Sequence, residues 1–294
     1  MSRRLSNQDE VEPVPHYGSL EKSNQTPPSQ KGEMDLTTLQ VMRDITIHAL
    51  PNICQLILVW ILPSIGVYSI SKGGDQIEIA GIGLAYTWLN ATTLFVLENL
   101  CLGTLVLCAA AFGAGQNRLA GLYYHRGLIL RLLGLIPSYC LMLLSYRIFV
   151  AIGVSEEIAE SAYTFAISTL PYLIIGGAYY ATKYYVISHN LTLPVLLIQA
   201  VVTSAHFGGC EFLVVHLGLG VKGVAYSLAL AHTIGLIIIL IYMSRSSLFN
   251  ETFFAFERES IRGLWKQLKS EILIAAPYYL EWMALEIYTL VIAS

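Results

Sequence analysis

Charge is scarce in this chain. Of 294 residues, 37 are Lys, Arg, Asp or Glu, which is 13% against about 25% in an ordinary soluble domain. Residues 46–244 hold only 14 of them, too little polar surface to cover a water-soluble globule. A soluble enzyme is excluded on that ground. No block of Lys and Arg is long enough to track phosphates, and the net charge is −3, so nucleic acid is not a partner. Cysteine is sparse too. Cys54, Cys101, Cys108, Cys140 and Cys210 all sit in apolar runs without CxxC spacing, and read as small hydrophobes that imply neither disulfides nor zinc. HExxH, Walker and nucleophile–base patterns are missing, so no enzyme activity and no cofactor are expected. The first apolar run starts after some 45 polar residues, too late and too long for a cleaved signal.

What the chain does have is long apolar runs. Segments near 46–70, 79–108, 127–150, 163–187, 194–217, 221–243 and 271–294 each approach the roughly 20 residues that span hydrocarbon. Length decides for helix where a continuous apolar run gives no periodicity. The chain therefore reads as an all-α, polytopic membrane protein embedded in a lipid bilayer. Residues 1–43, rich in Ser, Pro, Gln, Asn and Glu, bury too little to offset their ordering entropy and form an expected disordered tail. A six-helix lobe over 44–243, a charged linker over 244–270 and a seventh span over 271–294 follow.

Orientation is read from Lys and Arg. With the tail in the cytoplasm, Arg43, Arg118, Arg126, Arg131, Lys183, Arg245, Arg258, Arg262, Lys266 and Lys269 fall on the inner flanks. Only Lys72, Arg147 and Lys222 fall on the outer ones. The N-terminus is accordingly expected inside, in the plasma membrane or a vacuolar or other endomembrane. The sequons at Asn24, Asn190 and Asn250 then stay unglycosylated. A seven-helix receptor, which places its N-terminus outside, fits this bias poorly.

The first and seventh spans look like copies of one start. Ile45 to Pro51 is followed by Gln55, and Glu271 to Pro277 is followed by Glu281, each four residues past the proline. A repeat that begins again after six helices is a transporter signature. On that pattern the chain is one complete repeat plus the first helix of a second, hence an incomplete chain or fragment. A naturally short chain would need to form a homo-oligomer.

Acids inside spans are functional candidates by default, because an uncompensated charge there is costly. Glu281 and Glu286 lie in PYYLEWMALEIYTL, and Glu98 lies in the second span. Five helical residues subtend about 140°, so Glu281 and Glu286 point to different faces. A buried carboxyl can exchange a proton for another cation, the chemistry of cation/proton antiport. Tyr278, Tyr279, Trp282 and Tyr288 surround these acids and suit an organic cation through cation–π contact. A second group, Tyr172, Tyr179, Tyr180, Tyr184 and Tyr185 around Lys183, reads in part as headgroup anchors. His206 and Cys210 share a face near Glu211 and His216, but two ligands do not make a metal site. Gly218-Leu-Gly220-Val-Lys-Gly223 matches G-x-G-x-x-G in letters only. It follows a membrane helix, and no acid stands about 20 residues on, so it is a tight turn.

Several of these segments resemble the multidrug and toxic compound extrusion (MATE) family of eukaryotic type. Cys108-Ala-Ala-Ala-Phe-Gly-Ala-Gly115 is similar to its CGQAFGAG, Asn90-Ala-Thr92 to its N-x-T-G, and Arg126 to the arginine opening its third helix. Leu217-Gly-Leu-Gly220 with Gly223 resembles the turn before its sixth helix. Ala276-Pro277 through Glu281-Trp282 and Glu286 resembles its seventh-helix P…LEWW.(F/Y)E. The resemblance covers about residues 46–294. It departs from the family at Ala110 for Gln, Thr93 for Gly, Leu105 for an acid, Met283 for the second Trp and Leu285 for an aromatic, and His189 or Ile187 replaces a Gln of helix four.

The resemblance implies a secondary antiporter that exports organic cations or other xenobiotics in exchange for protons or sodium, by rocking of two six-helix lobes. Glu281, Glu286 and Trp282 would bind substrate or ion, with Asn90, Gln55 and Glu98 as further polar candidates. Two other classes stand beside it: a non-transporting membrane subunit, and a lipid-linked-substrate flippase of related fold. The flippase would line its cavity with Arg and Lys for phosphate, whereas the deep charges here read as mostly acidic.

Overall fold

The computed structural model of the chain describes residues 38–73, 75–94, 98–250 and 261–293. Most of the expected tail therefore lies outside the described residues, and residues 38–43 already belong to the first helix. Residues Arg43–Ser294 form one compact unit.

Apolar runs of helix length become helices because lipid offers the backbone no partners and a helix satisfies its own. Those described are α1 (Thr38–Ser71), α2 (Gln76–Leu94), α3 (Leu100–Gly113), α4 (Asn117–Ala151), α5 (Glu156–Ser168), α6 (Leu170–Ile187), α7 (Thr192–Cys210), α8 (Gly220–Arg245) and α9 (Leu264–Ala293). Among the described residues, four stretches are long and apolar enough to cross a membrane: Ile45–Ser71, Asn117–Ala151, Thr192–His216 and Gly220–Arg245. A fifth is the pair α5 and α6, bent by 49°. The bend has a local cause. Pro171 stands in the first turn of α6, where its missing N–H is tolerated, whereas deeper in a continuous helix it would break a bond.

Other expected segments are subdivided or extended as well. The span expected over 79–108 is split into α2 and α3, with a π turn at Glu98–Asn99 leading into α3. The segment expected as the seventh span lies in a helix that begins at Leu264, so residues 264–270 of the expected linker are helical. A second π segment, Glu211–His216, continues α7.

The distribution of side chains is inverted relative to a soluble protein. Large apolar residues of α1 (Ile53, Leu56, Ile57, Trp60), α4 (Leu132, Leu133, Ile136, Leu143) and α8 (Leu230, Ile237, Ile241) are exposed. Gln55, Thr93, Asn99, Thr104, Arg131, Lys183, Gln199, His206, His232 and Glu271 are buried. An apolar exterior around a polar interior is what lipid selects, since hydrocarbon solvates Leu as well as a protein core does. Inside, α8 packs on α6 and α7, α2 on α5, α3 on α4, and α9 on α3 and α4. The protein is an all-α polytopic membrane protein.

Candidate functional site

The sequence-derived candidates separate into two places. The first lies where α1, α2 and α9 meet. Trp60 of α1 stacks on Trp282 of α9, with ring centroids 4.9 Å apart and 28° between planes. Three residues before Trp282, the Tyr279 hydroxyl donates to the Ala91 carbonyl of α2 at 2.8 Å. Asn90, half-buried, is the neighbour of that carbonyl. Gln55, one and a half turns before Trp60, is buried, and its Oε1 has no hydrogen-bond partner among the described residues. Glu281 is exposed on α9 beside Trp282. Glu286 lies on the same helix, but its side chain is outside the described residues. This corner places an acid on α9 next to an indole pair, a set suited to a cation through charge and aromatic contact.

The second place is inside the bundle and holds Glu98. Glu98, on the π turn at Glu98–Asn99, interacts electrostatically with Lys183 of α6, its charged counterpart. Lys183 is 1% exposed, and Tyr172, Tyr179, Tyr180 and Tyr185 are buried with it. The reading of this tyrosine group as headgroup anchors is therefore corrected. α6 is covered by α3, α4 and α8, so its aromatic face meets protein and not the membrane interface. Tyr184 is the half-buried member.

Three functional candidates in the interior were missed by sequence reasoning. Arg131 of α4 is 2% exposed, and its Nε, Nη1 and Nη2 have no hydrogen-bond partner among the described residues. Glu271 of α9 is 1% exposed. Its Oε1 accepts from Thr104 Oγ1 at 2.7 Å and from Gln267 Nε2 at 2.8 Å, while Oε2 is unpartnered. Gln267 also donates to the Tyr123 carbonyl at 2.9 Å. Glu271 and Arg131 are electrostatically coupled. This polar knot fastens α9 to α3 and α4. The signal that could have found it is a charge several turns inside a helix.

Two of the ten inner-flank cations, Arg131 and Lys183, are thus interior residues and cannot serve as topogenic flanks. Eight remain against three, so the direction of the bias is unchanged. On another side of the molecule, Lys72 pairs with Glu211, and this bond holds the ammonium above the ordinary lysine value. His206 Nδ1 lies 3.0 Å from Ser227 Oγ and Cys210 Sγ 3.7 Å from its Nε2. Among the described residues no three His, Cys, Asp or Glu side chains converge on a point. Gly218 and Gly220 both take positive φ, 65° and 54°, which makes the glycine motif a turn between the π segment and α8.

With this geometry in hand, comparison with known proteins is informative. Residues 51–210 match the family model MatE. The chain is 29% identical over 254 residues to Protein DETOXIFICATION 49 of Arabidopsis thaliana, covering 86% of this chain and 51% of that protein. It is also 29% identical over 207 residues to Protein DETOXIFICATION 48 of Arabidopsis thaliana, covering 70% and 39%. Among solved structures, that of the eukaryotic MATE transporter AtDTX14 superposes with a TM-score of 0.80 at 21% identity, over 86% of this chain and 56% of that one. The chain spans about half the length of the curated relatives it matches.

Proposed function

The chain belongs to the MatE family, and from that premise we propose that it forms the first half of a multidrug and toxic compound efflux transporter. The reading is of a six-helix lobe, α1 to α8 with α2/α3 and α5/α6 as broken spans, followed by the first helix of a second lobe. It works as a secondary antiporter and not as an enzyme. An organic cation or other xenobiotic leaves in exchange for a proton or sodium ion. Glu281 and Glu286 carry the exchangeable charge, Trp282 and Trp60 supply aromatic faces, and Gln55 and Asn90 orient the substrate. The N-terminus is cytoplasmic, on the eight-to-three flank bias.

The observation that carries this reading is the docking of α9 on the first lobe. Its aromatic face is pinned by the Trp60–Trp282 stack and the Tyr279–Ala91 bond, while Glu281 beside it stays exposed. A second copy of this chain is the partner that would close the cavity if this half works alone.

The test is efflux of a fluorescent organic cation from proteoliposomes under a proton gradient or a sodium gradient. Whichever gradient drives transport names the coupling ion, and Glu281→Gln abolishes it. A Glu281→Gln protein that transports as fast as wild type overturns the assignment of Glu281. Transport indifferent to both gradients overturns antiport.

A further inference from the structure

The Lys183 ammonium sits in a ring of tyrosines. It lies 4.5 Å from the centroid of Tyr180, 5.1 Å from Tyr184 and 5.9 Å from Tyr179. All three distances are within the roughly 6 Å over which a cation is attracted to an aromatic face, and the attraction grows when water is excluded. Water is excluded here, because Lys183, Tyr179 and Tyr180 are 1%, 0% and 3% exposed.

The rings belong to Lys183's own helix, at the positions four and three before it and one after. A helical lysine leans toward the N-terminus of its helix, which carries the ammonium back over Tyr179 and Tyr180. Other elements close the enclosure. Glu98, on the turn between α2 and α3, supplies the opposite charge. His232 of α8 backs the rings, 5.3 Å from Tyr179 and 5.8 Å from Tyr180.

Three electron-rich faces and one carboxylate around a dry point constitute a recognition site for an alkylammonium group. A buried lysine is costly unless it is paired. The surroundings that remove this cost for Lys183 would do the same for any ammonium of similar size. We infer that the interior of the bundle contains a built alkylammonium site, that the chain's own Lys183 is its resident ligand, and that Lys183 excludes free cations from it. The site is distinct from the α9 corner, and the inference does not depend on whether the chain transports anything. In a protein that handled organic cations at Glu281, Lys183 would act as a specificity residue that keeps the deeper aromatic site closed to them.

The experiment measures Tm of the full chain in detergent micelles for wild type, Lys183→Ala, Lys183→Met and Lys183→Arg. Shortening Lys183 to Ala removes a propylammonium fragment, so the probes are n-propylammonium chloride and its neutral counterpart 1-propanol. The expected result is a lowered Tm for Lys183→Ala that rises with propylammonium concentration, as mass action requires for a ligand of the folded state. The rise exceeds that given by propanol, and wild type shows neither rise. An equal response to both probes, which is mere filling of a void, overturns the inference, and so does no response to either.

If Lys183→Ala yields no folded protein, the other two variants decide. Arg keeps a cation in the ring of tyrosines, whereas Met fills the space without one. Lys183→Arg is expected to hold Tm better than Lys183→Met. A Met variant as stable as Arg, or more stable, shows that charge is not what the site recognises.

Discussion

Gly103 of α3 lies against the backbone of α9, and Gly103→Ala tests whether that approach matters. A methyl group built on Gly103 would stand 2.6 Å from Glu271 Cα and 2.8 Å from Glu271 Cβ. Relaxed carbon–carbon contacts are about 3.5–4.0 Å, so the two helices must part by roughly 1 Å. The nearest atom is backbone, and no rotamer change relieves the clash. Overpacking of this kind costs about 1–3 kcal/mol. Separation also stretches the 2.7 Å bond from Thr104 Oγ1 to Glu271 Oε1 past hydrogen-bonding range. Such a bond to a charged group is worth about 1.5–3 kcal/mol. The better helix propensity of Ala returns about 1 kcal/mol. The net expectation is a loss of about 1.5–5 kcal/mol, read as a lowered midpoint in denaturant titration in micelles. Gly83→Ala is the control. It is helical and exposed, and nothing lies within 4 Å of an added methyl, so it should be neutral or stabilising by up to about 1 kcal/mol. If Gly103→Ala matches wild type or Gly83→Ala, α9 is not clamped to α3 at Glu271.

Gly220 opens α8 at φ 54°, in the left-handed region. Gly220→Ala therefore places a side chain on strained backbone and should destabilise by about 1–3 kcal/mol, measured by the same titration; an unchanged midpoint refutes it. At the Lys72–Glu211 pair, the hydrogen bond to Glu211 outweighs the opposing effect of burial and raises the lysine value. A lysine raised on folding gives stability that is fully present below its unfolded value and lost as pH rises through the folded one. Glu211→Gln should bring the Lys72 titration, followed by NMR, down toward the ordinary value, and its stability curve should converge with wild type above the lysine range. Curves that stay parallel there would assign the difference to packing.

The sequence displayed the helices better than it displayed their faces. Run length alone placed the helices, because lipid imposes one backbone solution. Hydropathy cannot distinguish a face turned to lipid from one turned to other helices, because both are apolar. Sequence position therefore groups Lys183 with the flanks, four residues from the end of α6. Arg131 is concealed for a different reason. The apolar run begins near 127, whereas α4 begins at Asn117, so Arg131 stands roughly 20 Å into the helix by its rise per residue. A polar first few turns concealed that depth. Glu271 was read as the start of a span, although its helix begins two turns earlier.

These misreadings bear on function. With Arg131 and Lys183 buried beside Glu98 and Glu271, the interior is mixed in sign and no longer mostly acidic. The contrast with a phosphate-binding flippase therefore cannot rest on the sign of the deep charges. It rests on their arrangement. Lys183 is enclosed by tyrosines and coupled to an acid, and Arg131 shares its neighbourhood with Glu271. A flippase would need both cations free to meet a phosphate. Here Lys183 is already engaged by the tyrosine rings and Glu98, which leaves Arg131 as the deep cation whose nitrogens have no hydrogen-bond partner among the described residues. The proposed cation substrate therefore rests on Glu281, the ionisable group exposed next to the aromatic corner, and not on the sign of the interior.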